Sequence, residues 1–177
     1  MNIFYLFLMG ISLSLDAFSL AISVGSFQIS SQKNFILSLI VGLFHFIMPI
    51  LGAFLGTKIK YINLIDSNTI LGLILLAIGL DLLYHYFKEE EININLNLMG
   101  MLLFAFGVSL DAFSLGIGLI IDNYDIILSG IIFSICSFSF TYLGLLIGKY
   151  GAIILGKYSK IIGFILLFYL SIIHLLK

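Results

Sequence analysis

The string SLDAFSL occurs twice in this chain, at residues 14–20 and again at residues 109–115. Each copy places a carboxylate, Asp16 or Asp111, inside a long apolar run. Both runs are long enough to cross a bilayer, which takes about 20 residues. An Asp at the centre of a membrane helix costs roughly 2.5–3.5 kcal/mol on insertion scales, so two of them at matched positions indicate a functional site.

The composition excludes a soluble globular domain. The chain has 177 residues, of which 62% are hydrophobic and 10% are charged, whereas about 25% of the residues in soluble domains are charged. The formal net charge of −1 and the dispersed lysines argue against a nucleic-acid partner. Cys136 is the single cysteine, so neither an intrachain disulfide nor a CxxC metal site can form. These features predict a polytopic membrane protein whose surroundings are the lipid bilayer.

Six apolar runs follow one another along the chain, and short polar segments separate them. They predict an all-α protein with six transmembrane helices, near residues 3–24, 34–56, 68–87, 96–121, 126–148 and 159–176. Because the connections are short, we expect a single membrane domain over residues 1–177. Five lysines against three on the two sides give a slight positive-inside bias, which predicts that both termini face outward.

The two halves of the chain resemble each other, with repeat 1 at about 1–87 and repeat 2 at about 96–177. The second acid follows the first by 95 positions (111 minus 16). A Leu-Gly pair and a further Gly ahead of a Lys also recur, at Leu51, Gly52, Gly56 and Lys58 and at Leu143, Gly144, Gly148 and Lys149. Three helices per repeat is an odd number, so the second repeat enters the membrane from the opposite side, as in many secondary transporters.

Small and polar residues share a helix face with each acid, because positions three, four and seven apart lie on one side of a helix. They are Ser12, Ser19 and Ser23 around Asp16, and Gly107, Ser114 and Gly118 around Asp111. We expect the two stripes to face each other in the bundle interior, since small residues allow close helix packing. The Ser-rich stripe predicts that Asp16 is the more hydrated acid and Asp111 the more closely packed one.

Three further polar residues lie in apolar runs. His45 precedes Pro49 by one turn, and this proline frees the carbonyl of residue 45 as an acceptor. The sequence leaves open whether His45 is a hydrogen-bonded structural residue or a metal ligand. Asp81, in the third run, is either a water-reachable carboxylate at the interface or a gate or proton site.

Two buried carboxylates that approach each other repel unless a proton or a cation lies between them. Carboxylates, hydroxyls and a freed carbonyl with one imidazole suit Mn²⁺ or a similar hard divalent ion better than Cu or Zn. The candidate metal ligands are Asp16, Asp111, Ser12, Ser19, Ser114 and His45. The chain has no Walker motif, so uphill transport would draw on an ion gradient, with the carboxylates exchanging metal for protons. No cofactor and no enzymatic activity are expected, and Mn²⁺ is the transported substrate.

These residues resemble the MntP-type manganese efflux pumps, which are small six-helix proteins of bacterial cytoplasmic membranes distantly related to the LysE exporter superfamily. The similarity covers nearly the whole chain and rests on four segments: GISLSLDAFSLAISVG at 10–25, GLFHFIMPILGAFLG at 42–56, FGVSLDAFSLGIGL at 106–119 and LGLLIGKY at 143–150. The resemblance implies that Asp16 and Asp111 match the paired acids of the family's transport site. His45 is a departure, because many relatives carry Glu or Gln there.

Three other functions stay open. A sporulation-associated membrane protein of the same family has a similar doubled motif without a transport role. An exporter of a small organic cation would also use intramembrane acids, but it needs a wider cavity. An intramembrane aspartyl hydrolase is disfavoured because neither acid lies in a GxGD motif.

Overall fold

The computed structural model describes residues 3–25, 27, 29–60, 69, 73–78, 80, 83–84, 97–150 and 153–176. All the regular secondary structure in these residues is helical, which confirms the all-α prediction for this part of the chain. The complete helices are α1 (Ile3–Gly25), α2 (Ser31–Lys60), α3 (Leu98–Gly107), α4 (Leu110–Ile121), α5 (Ile126–Gly148) and α6 (Ile153–Leu175).

Most of the third predicted run, 68–87, lies outside the described residues, although residues 73–78 within it are helical. Asp81 also lies outside them. The other five runs coincide with the described helices to within a few residues. The largest differences are at α2, which begins three residues before and ends four residues after the predicted run 34–56, and at α6, which begins before the predicted residue 159.

The fourth predicted run is not one straight helix. It consists of α3 and α4, which bend by 41° at a short break. The prediction of a continuous helix over 96–121 is therefore wrong. The break falls at Val108 and Ser109, where the amide of Ser109 bonds the carbonyl of Phe106 at 3.3 Å, three residues back instead of four. Gly107 directly precedes the break and Ser109 lies in it, and both residue types favour helix ends over helix interiors.

Three of the described helices, α1, α2 and α5, are long and apolar enough to cross a membrane, and the bent pair α3–α4 makes a fourth if it is one span. Large apolar side chains cover their outer surfaces, among them Phe4, Leu43, Phe54, Leu103 and Ile135. Such surfaces are unfavourable in water but suit lipid.

Helix α5 lies at the centre of the described bundle, where it packs against both α1 and α2. On the far side of α1 lies α6, and on the far side of α2 lie α4 and α3. Asp125 caps the start of α5, since its carboxylate accepts bonds from the amides of Ile127 and Leu128 at 3.0 and 3.1 Å. This cap fixes where the chain turns back after α4.

Glycines of α5 allow α1 to pack directly against its backbone. A Cβ at Gly148 would overlap the carbonyl oxygen of Ile22, and a Cβ at Gly144 would lie 2.7 Å from the carbonyl oxygen of Phe18. No larger residue fits at such a distance without a backbone shift. The two helices therefore cross at backbone contact, with the second half of α1 against the end of α5.

The same arrangement recurs between α2 and α4. A Cβ at Gly52 would overlap the carbonyl oxygen of Phe113, and one at Gly56 would lie 2.8 Å from the carbonyl oxygen of Ile117. Phe113 and Ile117 belong to the second copy of the doubled string and its continuation. Each copy of SLDAFSL thus packs against a Gly-x-x-x-Gly pair in the other half of the chain.

Candidate functional site

The two acids occupy different local structures. Asp16 lies within the continuous helix α1, whereas Asp111 lies in the first turn of α4, directly after the break. Both side chains are half-buried. One carboxylate oxygen of Asp111 accepts a bond from the amide of Ala112 at 2.7 Å, so this acid is held at the exposed backbone of a helix start.

A cavity of about 350 Å³ opens beside Asp111. Its lining consists of two polar residues of α4 and mainly apolar neighbours, namely Asp111, Ser114, Leu110, Ile74, Ala77 and Ile78. Ser114 and Asp111 thus face the same space, as the helix spacing predicts. The expectation that Asp111 is the more closely packed acid stays a prediction, and among the described residues a cavity adjoins it.

Two hydrophobic clusters fix the depth of each acid in the bundle. The first cluster joins the early part of α1 to α4, through Leu6, Met9, Leu13, Ala112, Leu115 and Leu119. The second joins the later part of α1 to α3, through Ala17, Ala21, Val24, Met101, Phe104 and Val108. A changeover between the two clusters occurs on each segment. On α1, Leu13 belongs to the first cluster and Ala17 to the second; on α3–α4, Val108 belongs to the second cluster and Ala112 to the first. Asp16 and Asp111 both lie at this changeover, and therefore at a similar depth in the bundle.

The serines near Asp16 are buried in the bundle. Ser12 is fully buried and donates its hydroxyl to the carbonyl of Leu8 at 2.8 Å, and Ser19 is also buried. Ser114 donates to the carbonyl of Leu110 at 3.3 Å. A hydroxyl oxygen that donates its proton keeps lone pairs that can accept a cation or a proton.

One polar contact was missed by the sequence analysis. The hydroxyls of Ser14 and Ser137 lie 3.2 Å apart between α1 and α5, and both residues are fully buried. Ser14 belongs to the first SLDAFSL but lies off the helix face of Asp16, so face assignment from that acid left it out. Its own position in the repeated string was the available signal.

His45 is fully buried in α2, and its two ring nitrogens have different environments. Nδ1 lies 3.0 Å from the carbonyl oxygen of Val41, which can only accept, so Nδ1 carries the proton. Nε2 is then an acceptor, and it has no hydrogen-bond partner among the described residues. A histidine that donates one N–H to a backbone carbonyl and presents the other nitrogen unprotonated has the arrangement of a typical metal ligand.

Within the described part of the chain, no group of three or more His, Cys, Asp or Glu side chains is arranged to hold a metal ion. The predicted ligands Asp16, Asp111 and His45 are therefore not gathered around one point there. The donors that these residues offer are carboxylates and hydroxyls with one nitrogen, which suits a hard divalent cation.

Comparisons with known proteins agree with one another. The model of a family described as "Mntp: Putative manganese efflux pump" matches residues 28–175. Two proteins named "Putative manganese efflux pump MntP" are each 31% identical to this chain, one from Bacillus mycoides (strain KBAB4) over 163 residues and one from Bacillus cereus (strain B4264) over 165 residues. Each alignment covers 92% of this chain and 90% of the relative. No solved structure matches.

Proposed function

The chain belongs to the manganese efflux pump family, and from this membership we propose that it exports Mn²⁺ across the cell membrane in exchange for protons. It is a multi-pass protein of the bacterial cell membrane. In the proposal the transport site is built on Asp16 and Asp111 near mid-membrane, and the metal is cargo, not a resident cofactor.

The position of the two acids at the same changeover between hydrophobic clusters is the observation that carries this site. Two carboxylates at one depth on antiparallel segments would bind a divalent cation together once their helices approach each other, and without the cation they would repel. Protons relieve that repulsion as well as a metal does. Release of Mn²⁺ on one side is thus favoured by protonation there, which couples the two fluxes.

The paired glycine contacts support two inverted repeats. Phe18 and Phe113 are 95 positions apart (113 minus 18), and the glycines that they contact, Gly52 and Gly144, are 92 apart (144 minus 52). Ile22 with Gly148 and Ile117 with Gly56 follow the same two offsets. A pseudo-two-fold axis that exchanges the halves accounts for both pairs. Rocking of one repeat against the other would then open the midplane site to each side in turn.

The other donors complete the proposed coordination. Ser12, Ser19 and Ser114 supply hydroxyl oxygens near the acids, and His45 supplies the unpartnered Nε2. These side chains need to converge only in the metal-bound state, since the described residues hold no assembled cluster. Asp81 stays a predicted proton or gate site outside the described residues.

Expression in a manganese-sensitive bacterial host tests the proposed function. We expect the parent protein to lower cellular manganese and to restore growth in Mn²⁺. Asp16→Asn and Asp111→Asn should each abolish this protection, because a neutral amide cannot balance the cation charge. Parent-like protection by either variant would exclude that acid from the site.

Asp125→Asn is the matched control. Asp125 is also an aspartate, but it is exposed and only caps α5. Asn caps helices as well as Asp does. We expect this variant to protect like the parent, and a loss here would mean that any Asp→Asn change harms assembly.

An exporter of a small organic cation is the second candidate, and the cavity beside Asp111 favours it. Its volume of about 350 Å³ and its mainly apolar lining would accept a short alkylammonium group against one carboxylate. Competition of Mn²⁺ flux by millimolar lysine in vesicles would support this function, and flux that lysine does not change would exclude it.

A further inference from the structure

Two buried oxygens, one on α2 and one on α5, have no hydrogen-bond partner among the residues that the structure describes. They are Oδ1 of Asn34 and Oγ1 of Thr141, and their residues are 2% and 0% exposed. Buried polar atoms in native proteins are nearly always bonded to protein or to ordered water. Such atoms therefore indicate positions where water binds.

Both residues lie at the level of one stretch where α2 and α5 pack antiparallel. The rings of Phe35 and Phe138 are 5.8 Å apart, and a Cβ at Gly42 would lie 3.1 Å from Cβ of Phe138. Asn34 immediately precedes this stretch of α2, and Thr141 lies one helical turn beyond Phe138 on α5.

Further buried hydroxyls continue the polar stretch inward. Ser38 lies one turn after Asn34 and donates to its carbonyl at 2.8 Å. Ser137 lies one turn before Thr141 and contacts Ser14 at 3.2 Å. Ser14 precedes Asp16 by two residues, or about 3 Å along the helix axis. Polar atoms thus extend from the start of α2 to the depth of Asp16.

Three residues of the polar stretch have no polar counterpart in the other half of the chain. At the offset of 92 positions (144 minus 52), Asn34 and Ser38 correspond to Ile126 and Gly130, and Thr141 corresponds to Pro49. Ser137, by contrast, corresponds to the buried His45. Packing needs common to both repeats would have produced similar residues on both sides, so Asn34, Ser38 and Thr141 form a one-sided feature that packing symmetry does not require.

We propose that the α2–α5 interface holds a file of bound water that carries protons between the membrane surface at the start of α2 and the depth of Asp16. The inference rests on the proposed function, in which protons exchange with the metal. Each proton that enters the file at one end is matched by one that leaves at the other, so the water is unchanged.

Positive charge at the surface end of the file, by the start of α2, selects protons over the metal. Lys33 adjoins Asn34, and Lys149 directly follows α5 at the same end of the bundle; both are exposed. Two ammonium groups repel an approaching divalent cation. Protons can still pass, because they move by exchange along hydrogen bonds and need no space for a hydrated ion.

Thiol accessibility tests the file directly, in a Cys136→Ala background. Cysteines at Ser38 and Thr141 are compared with one at Leu37, a neighbour that is equally buried but belongs to the apolar cluster. The probe is 2-aminoethyl methanethiosulfonate, applied to membrane vesicles. Because only the hydrated thiolate reacts, we expect the first two cysteines to react at least about tenfold faster than the third. Equal rates at all three positions would overturn the proposal.

A hydroxyl deletion tests conduction. Thr141→Val keeps the shape of the side chain but removes Oγ1, whereas Thr141→Ser retains it. In proteoliposomes we expect the Val variant to lose most of the Mn²⁺-driven proton flux, read with an internal pH dye, while it binds Mn²⁺ like the parent. The Ser variant should conduct. Parent-like flux in Thr141→Val would overturn the proposal.

The two experiments separate the file from the transport function. If the parent protein moves no Mn²⁺, the proposed function fails, and the thiol rates alone then decide whether the file exists. If Mn²⁺ moves but the cysteines at Ser38 and Thr141 are as unreactive as the one at Leu37, the file is wrong and the transport function stands.

Discussion

His45 adds a nitrogen to a set of candidate ligands that otherwise consists of oxygens. Its Nδ1–H is held by the carbonyl of Val41, so the ring cannot turn to offer the other nitrogen without losing that bond. Imidazole binds Zn²⁺ and Co²⁺ more strongly than Mn²⁺, in line with the general order of divalent metal affinities. The residue at position 45 should therefore affect which metals are exported.

His45→Gln is expected to narrow the metal range. The amide replaces a nitrogen ligand by an oxygen that is acceptable to Mn²⁺. Affinity for Zn²⁺ should fall about tenfold relative to Mn²⁺, the lower end of the effect of altered metal-site residues. Competition between the two metals for the purified protein measures the ratio. An equal loss for both metals would show that His45 serves only to hold the structure.

Individual residues differ in how far their roles could be predicted. Asp16 and Asp111 could be selected as candidates because an acid in an apolar run is costly whatever surrounds it. The contact between Ser14 and Ser137 could not, because it depends on how α1 is rotated against α5. The sequence gives the spacing within a helix but not the angle between two helices. For the same reason the cavity beside Asp111 was unexpected.

At the scale of elements, the main difference between prediction and structure is the break between α3 and α4. Hydropathy is continuous through Val108 and Ser109, so the fourth run looks like one span. The first copy of SLDAFSL lies in an unbroken helix and the second at a break, although the strings are identical. The local string therefore does not decide the break. The differences nearest to it are Val108 and Gly107, which correspond to Leu13 and Ser12 before the first copy.

The glycine contacts yield a paired prediction for helix packing. Gly52→Ala and Gly144→Ala should each destabilise the protein by about 1–3 kcal/mol, the usual penalty for inserting a methyl group into a packed site. Because the proposed inverted repeat makes the two contacts equivalent, the losses should be similar. Thermal unfolding of the purified protein in detergent measures both.

Gly107→Ala is the control for these variants. A Cβ at Gly107 would meet no atom within 4 Å, so there is space for it. Alanine also favours helix over glycine by about 0.5–1 kcal/mol. We expect unchanged or slightly higher stability, and a loss as large as that of Gly52→Ala would mean that the helix break, not helix contact, sets the stability.

At the scale of the whole molecule, the described helices form two sets of opposite direction. The first set is α1 and α5, which run parallel in contact, and the second is α2 and α4. The proposed water file reaches Asp16 along one set of contacts, while the cavity opens beside Asp111 from another side. In the proposed mechanism, these two approaches would let the site on Asp16 and Asp111 be reached separately from each side, as alternating access requires.

The membrane orientation follows from this arrangement and can be measured. Helix α2 has 30 residues, so it is about 45 Å long and crosses the apolar core completely. Ser30 and Lys58, near its two ends, must therefore lie on opposite sides. Tyr150 follows α5, which runs antiparallel to α2, and should lie on the side of Ser30.

The lysine distribution predicts which side that is. Lys33, Lys149, Lys157 and Lys160 lie toward the Ser30 end, against Lys58 and Lys60 at the other end of α2. The positive-inside rule therefore places the Ser30 end in the cytoplasm and the N-terminus outside. In a Cys136→Ala background, cysteines at Ser30 and Tyr150 should resist an impermeant maleimide in intact cells and react in inverted vesicles, and one at Lys58 should do the reverse. Labelling of Ser30 and Tyr150 from different sides would contradict the helix arrangement itself. Labelling of both from outside would keep the helix arrangement but reverse the orientation in the membrane. The end of the proposed water file at the start of α2 would then lie at the external surface, where protons driven inward by the membrane potential would enter it.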